Sequence, residues 1–63
     1  MTVNTCEGKI TATKDMLNLI SITFHTDANV WDAKGGDYKV VGNRRRKVAN
    51  EIYDALKKVG YYE

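Results

Sequence analysis

Asn18-Leu19-Ile20-Ser21-Ile22-Thr23-Phe24-His25-Thr26 is the stretch on which the fold of this chain turns. Read with a period of two, it puts Ile20, Ile22 and Phe24 on one face and Ser21, Thr23 and His25 on the other. It is rich in β-branched residues, which pack well on a pleated surface. The spacing therefore predicts a strand over residues 18–26. A similar run precedes it at residues 8–14, where Ile10 and Ala12 oppose Thr11 and Thr13. Lys14-Asp15 reads as the turn between the two, with a short helical turn over 14–19 as the alternative. Asp27-Ala28-Asn29 reads as a further turn. Residues 30–33 and 37–41 then flank Lys34-Gly35-Gly36, and a Gly-Gly pair between β-prone runs signals a hairpin, because tight primed turns need positive φ.

Past Gly42 the period changes. Asn43 is a competent N-cap. Val48, Ile52, Ala55, Leu56 and Val59 fall on one side of a helical wheel, with Ala49 at its margin. Gly60 is a ready left-handed terminator after Lys57 and Lys58. A helix over 43–59 follows. The expected architecture is a single α+β domain over residues 1–63, with an antiparallel three- to four-stranded sheet packed on one C-terminal helix in two layers. Its expected core is Ile10, Ile20, Ile22, Phe24, Val40, Val48, Ile52, Leu56 and Val59.

Sixty-three residues with 43% hydrophobic and 29% charged content suit one small domain with a modest core. The start Met and short length read as a complete small gene product. No apolar run approaches the roughly 18 residues of a membrane helix, and the first residues lack the pattern of a secretory signal. With a single cysteine, Cys6, there is no internal disulfide, so a cytoplasmic location is expected. The formal net charge of +2 hides an uneven distribution: −2 over residues 1–33 and +4 over residues 34–63.

Much of that excess is Arg44-Arg45-Arg46-Lys47, at the start of the predicted helix. A helix N-terminus already carries about half a positive charge, and each cation there costs roughly 0.3–1 kcal/mol. A docked anion would offset this, and the free first-turn N–H groups would help to hold it. On the same wheel Arg46, Asn50, Tyr53 and Lys57 line the side opposite the apolar stripe, and Lys39 would extend the patch. These residue types contact phosphates and base edges. A solvated basic face is the plainer alternative. Trp31 beside the Gly-Gly turn, and Tyr61 and Tyr62 after Gly60, are candidate protein contacts or packing residues.

Enzyme chemistry is not expected. His25 is the sole histidine, no metal-ligand set is evident, and Gly35-Gly36 lacks a longer phosphate-loop pattern. Neither a metal nor a cofactor is expected. The acidic residues Asp15, Asp27, Asp32 and Asp37 read as turn formers.

The run from Gly42 to Leu56 resembles the C-terminal half of a double-stranded-RNA-binding domain. There a third strand leads into a helix opened by Gly, paired basic residues and small residues at helical intervals, ending Ala-Leu. The resemblance aligns Arg45 and Arg46 with paired lysines that touch phosphates, and Val48, Ile52, Ala55 and Leu56 with buried positions. It covers about fifteen residues, and Ala49 stands where that family has a further lysine. The order of sheet then helix is also similar, in topology alone, to the DNA-binding domains of AP2 factors and integrase arm-binding modules.

The function expected is duplex DNA or RNA binding through Arg44, Arg45, Arg46 and Lys47, extended by Lys39 and Lys57, with Asn50 and Tyr53 as candidates for specific contacts. Four neutralised phosphates imply a log-affinity against log-salt slope of about −3 to −4. The alternative is a non-catalytic protein-binding module, such as a phage or mobile-element product that inhibits or redirects a host enzyme. There the arginines would meet an acidic host protein surface, with Trp31, Tyr53, Tyr61 and Tyr62 as anchors. A homodimer would double the basic patch.

Overall fold

Thr13 sets the register of the first half. Its Oγ1 accepts a hydrogen bond from the Met16 N–H at 3.2 Å, Asp15 sits in the first turn and Lys34 in the last, and no Gly or Pro interrupts the residues between. Those are the signals of a capped helix, and a helix forms. The computed structural model describes residues 1–62 and runs β1 (Thr2–Thr5), β2 (Gly8–Thr11), α1 (Lys14–Lys34) and α2 (Tyr38–Lys58).

The expected sheet is thereby corrected. The sheet has two strands, β1 and β2, paired antiparallel with Val3 opposite Ile10 and Thr5 opposite Gly8. Only residues 8–11 of the expected 8–14 strand pair as a strand. Residues 18–26 and 30–33 lie in α1, and Tyr38–Val41 opens α2, so the predicted 37–41 strand is helical and the predicted 43 helix start moves to 38. The cause is a second period within the first half. Leu17, Ile20, Ser21, Phe24 and Ala28 recur at helical spacing. Leu17, Ser21 and Ala28 are buried, and Ile20 and Phe24 are partly buried against the core. Burial on a 3.6-residue period outweighs a β preference whose whole range is about 1 kcal/mol.

The Gly-Gly turn exists, but between helices. Gly35 and Gly36 take φ of 70° and 57°, the left-handed values glycine supplies freely. They join α1 to α2 as an αα-hairpin. At the other end of α2, Gly60 has φ of 77°, its N–H donates to the Lys57 carbonyl at 3.1 Å, and the Tyr61 N–H donates to the Leu56 carbonyl at 3.0 Å. This is a Schellman ending, completed by Tyr61 packing on the core that contains Leu56.

The core is Val3, Leu17, Val48, Ile52 and Leu56, with Ile10, Ala12, Ile20, Phe24, Ala55 and Tyr61 packed around it. The β-hairpin lies on this end of the helix pair, chiefly through β1 against α2. Three expected core residues, Ile22, Val40 and Val59, are exposed instead. Along the rest of the helix–helix seam the residues are small. Ser21 donates its hydroxyl to the Ala49 carbonyl at 3.2 Å, and Ala28 faces the buried Gly42. Among the described residues no helix is long and apolar enough to cross a membrane.

Candidate functional site

The basic cluster does not stand at a helix start. Arg44 is in the second turn of α2, past the first turn within which the end charge of a helix is felt. The anion-offset argument therefore loses its geometric basis, and Lys39 alone occupies the first turn. The acidic residues are also relocated: Asp15, Asp27 and Asp32 belong to α1, and Asp37 takes the N-cap position of α2 without a side-chain cap bond.

Two of the four cations meet the chain's own carboxylates. Arg44 Nε lies 2.9 Å from Glu7 in the β-hairpin turn, an exposed pair worth at most about 1 kcal/mol. Arg46 pairs with Asp32 of α1 and donates to Asn43 Oδ1 at 3.1 Å. Arg45 instead spreads its guanidinium over the Phe24 ring, 4.8 Å from its centroid. Lys47 is exposed and lines a shallow depression with Cys6, Glu7, Asn43 and Arg44. Among the described residues Arg45 and Lys47 make no carboxylate pair.

Lys39, Arg46, Asn50, Tyr53 and Lys57 fall on one side of α2 by helical periodicity. Tyr62 packs on Tyr53, with ring centroids 4.9 Å apart, and Tyr53 stays exposed beside it. The two terminal tyrosines fold back onto α1. Tyr61 donates to Asp15 Oδ1 at 2.7 Å and Tyr62 to Asn18 Oδ1 at 2.6 Å. The bond to Asp15 raises the Tyr61 pKa above its ordinary value, partial desolvation adding to it; desolvation, then the neighbouring Tyr53, raises that of Tyr62. Trp31 is half-buried, stacked on Tyr38 at 5.3 Å, with Lys34 Nζ 5.2 Å from its ring centroid. Tyr38, Tyr53 and Tyr62 remain exposed despite these contacts.

Sequence reasoning missed a groove of about 380 Å³ between the β-hairpin and both helices. Ile10, Phe24, Val40, Val41 and Val48 form its apolar lining. Arg44 and Arg45 stand at its edge, and Glu7 accompanies Arg44 there. The available signal was the helical phase of Val41, Arg44, Arg45 and Val48, legible only once residues 38–42 are taken as helical.

Cys6 lies in the hairpin turn, and its backbone N–H donates to Glu51 Oε1 at 3.1 Å. Although the residue is exposed, partial desolvation raises its thiol pKa, and the Glu51 carboxylate adds to this. The turn thus favours thiol over thiolate, the reverse of what an activated nucleophile needs. Among the described residues no group of His, Cys, Asp and Glu is arranged to hold a metal ion. No protein-family model, curated protein or solved structure matches the chain.

Proposed function

We propose that this chain is a non-catalytic protein-binding module that holds an acidic, apolar segment of a partner protein in the groove beside Arg44 and Arg45. The observation that carries this reading is the groove itself: an apolar lining with two guanidiniums at its edge and Val40 largely exposed at its mouth. An apolar side chain of the partner would fill the floor, and its carboxylates would take Arg45 and compete with Glu7 for Arg44. Arginine beside a desolvated apolar pocket is a favoured binding hot spot. The exposed thiol of Cys6 suits a reducing compartment.

The test is affinity capture from nuclease-treated lysate, followed by binding of the purified partner to variants. Val41→Asp and Arg45→Glu should each weaken that binding at least about tenfold, one decade being 1.4 kcal/mol, while Lys57→Ala should leave it unchanged. Binding unaffected by both groove variants would sink the reading.

One observation favours a second reading. Arg45 and Lys47 of the basic cluster carry no carboxylate partner among the described residues, so they are available to nucleic-acid phosphates. An electrophoretic shift with DNA and RNA duplexes separates the two, since phosphate binding weakens steeply with salt.

A further inference from the structure

We infer that the groove also takes a free fatty carboxylate of medium chain length, which, on the reading of that groove as a partner site, displaces the partner segment and so regulates its binding. The charge of the groove selects the head group. Arg44 and Arg45 stand at its edge, and among the described residues Glu7 is the only carboxylate that lines it. Two guanidiniums less one carboxylate leave one unit of positive charge, which a single carboxylate matches. Arg44 already holds such a group, with its Nε 2.9 Å from Glu7. Arg45 lays the face of its guanidinium on the Phe24 ring, 4.8 Å from the centroid, and makes no ion pair among the described residues. Stacking covers the face of a guanidinium and leaves its in-plane N–H donors, which meet a carboxylate bidentately.

The lining selects the tail. Ile10, Phe24, Val40, Val41 and Val48 bring no polar side-chain atom to the groove. Thr5, the remaining neutral residue, donates its hydroxyl to the Gly8 carbonyl at 2.7 Å and accepts the Glu7 N–H at 3.2 Å. Apart from the guanidiniums, the lining has no uncommitted polar side chain to hold a sugar or a nucleoside, and a polar group buried there would lose its water without compensation. A saturated chain loses nothing. The volume of about 380 Å³ lies at the lower end of the range for small-molecule sites, about 300–1,000 Å³. At roughly 30 Å³ per methylene, close to the share of one water in the liquid, the groove has room for about twelve carbons. The fatty carboxylate and the partner segment would each set a carboxylate against the arginines and an apolar element on the floor, so they exclude each other.

Sodium decanoate, kept below its micelle concentration, is the probe, and amide NMR of the chain reads it. The Ile10, Val41 and Val48 amides should shift and saturate with a Kd below about 1 mM. Lengthening the chain from hexanoate to decanoate should tighten binding several-fold for each pair of carbons, since a fully buried methylene is worth about fourfold. The gain should stop beyond about twelve carbons. Decylammonium, with the same chain and the opposite charge, should bind at least about tenfold more weakly. Arg45→Gln should weaken decanoate about tenfold with helical circular dichroism retained, and Glu7→Gln, which frees Arg44, should tighten it. In the capture experiment decanoate should release the partner. Absence of saturable shifts below the micelle concentration overturns the inference. So does equal binding of decylammonium, an affinity that climbs with chain length without limit, or shifts centred on the exposed Leu19 and Ile22 of α1. A partner held equally well by decanoate-saturated protein overturns it too. The partner reading fails separately: decanoate binding with no partner captured sinks that reading alone, and a captured partner lost on Val41→Asp, with no decanoate binding, sinks this inference alone.

Discussion

Gly42 of α2 backs onto Ala28 of α1: a Cβ added at Gly42 would stand 3.0 Å from the Ala28 carbonyl oxygen and would also run into the Asp32 side chain. The helices close to this distance only because position 42 has no side chain. Gly42→Ala in a helix interior would ordinarily stabilise by about 0.5–1 kcal/mol. Here the backbone oxygen must give way and Asp32 must leave its place beside Arg46. The substitution should therefore destabilise, by about 1–3 kcal/mol, measured by urea unfolding. A gain in stability would show that the helices separate freely at this end.

The opposite end of the helix pair depends on Leu56 and Gly60. Leu56 is fully buried, and Leu56→Ala should cost about 2–5 kcal/mol. That is comparable with the whole stability of a domain this size, about 3–9 kcal/mol at the usual value per residue. The variant should be largely unfolded at 37 °C by circular dichroism. Gly60→Ala keeps every core contact but forces a Cβ into the left-handed region at φ of 77°. Its cost should be smaller, about 1–2 kcal/mol.

The two ends differ in how much a reader of the sequence can see. Gly60 closes a helix through its own backbone and its nearest neighbours, so local pattern is enough. Gly35 and Gly36 were legible as a positive-φ turn for the same reason, yet what they join was not. Ile20 and Phe24 satisfy both a period of two and the i, i+4 spacing of a helix, and only Ile22 separates the readings. As a strand residue Ile22 would be buried; in α1 it is exposed. The candidate site was legible as a set of cations but not as a surface. Glu7 and Asp32 reach Arg44 and Arg46 only through the packing of β-hairpin and α1 on α2, which depends on a fold that the alternating pattern hid.

Alkaline pH should loosen the C-terminal turn. Tyr61 donates to Asp15, which raises its pKa in the folded state above the ordinary value of about 10. As pH rises past that value, the unfolded chain loses the proton while the folded chain keeps it. Stability present below pH 10 is therefore lost progressively up to the folded pKa. Tyr61→Phe should remove this contribution and flatten the decline of melting temperature measured between about pH 9 and pH 11. An equally steep decline in the variant would assign it to other groups.

Glu7 and Asp32 hold half of the basic cluster and so set how many phosphates it can reach. If the pairs persist on a duplex, only Arg45 and Lys47 of the four cations neutralise phosphates, and the log-affinity against log-salt slope should be about −2. Glu7→Gln with Asp32→Asn would release Arg44 and Arg46, and the slope should steepen to about −4, with tighter binding at low salt. Fluorescence anisotropy on a labelled duplex measures both. A wild-type slope already near −4 would mean that the phosphates displace the internal carboxylates, which would move the nucleic-acid reading ahead of the groove. No binding by either protein at low salt would discard that reading, because the two cations released from Glu7 and Asp32 would still have found nothing to neutralise.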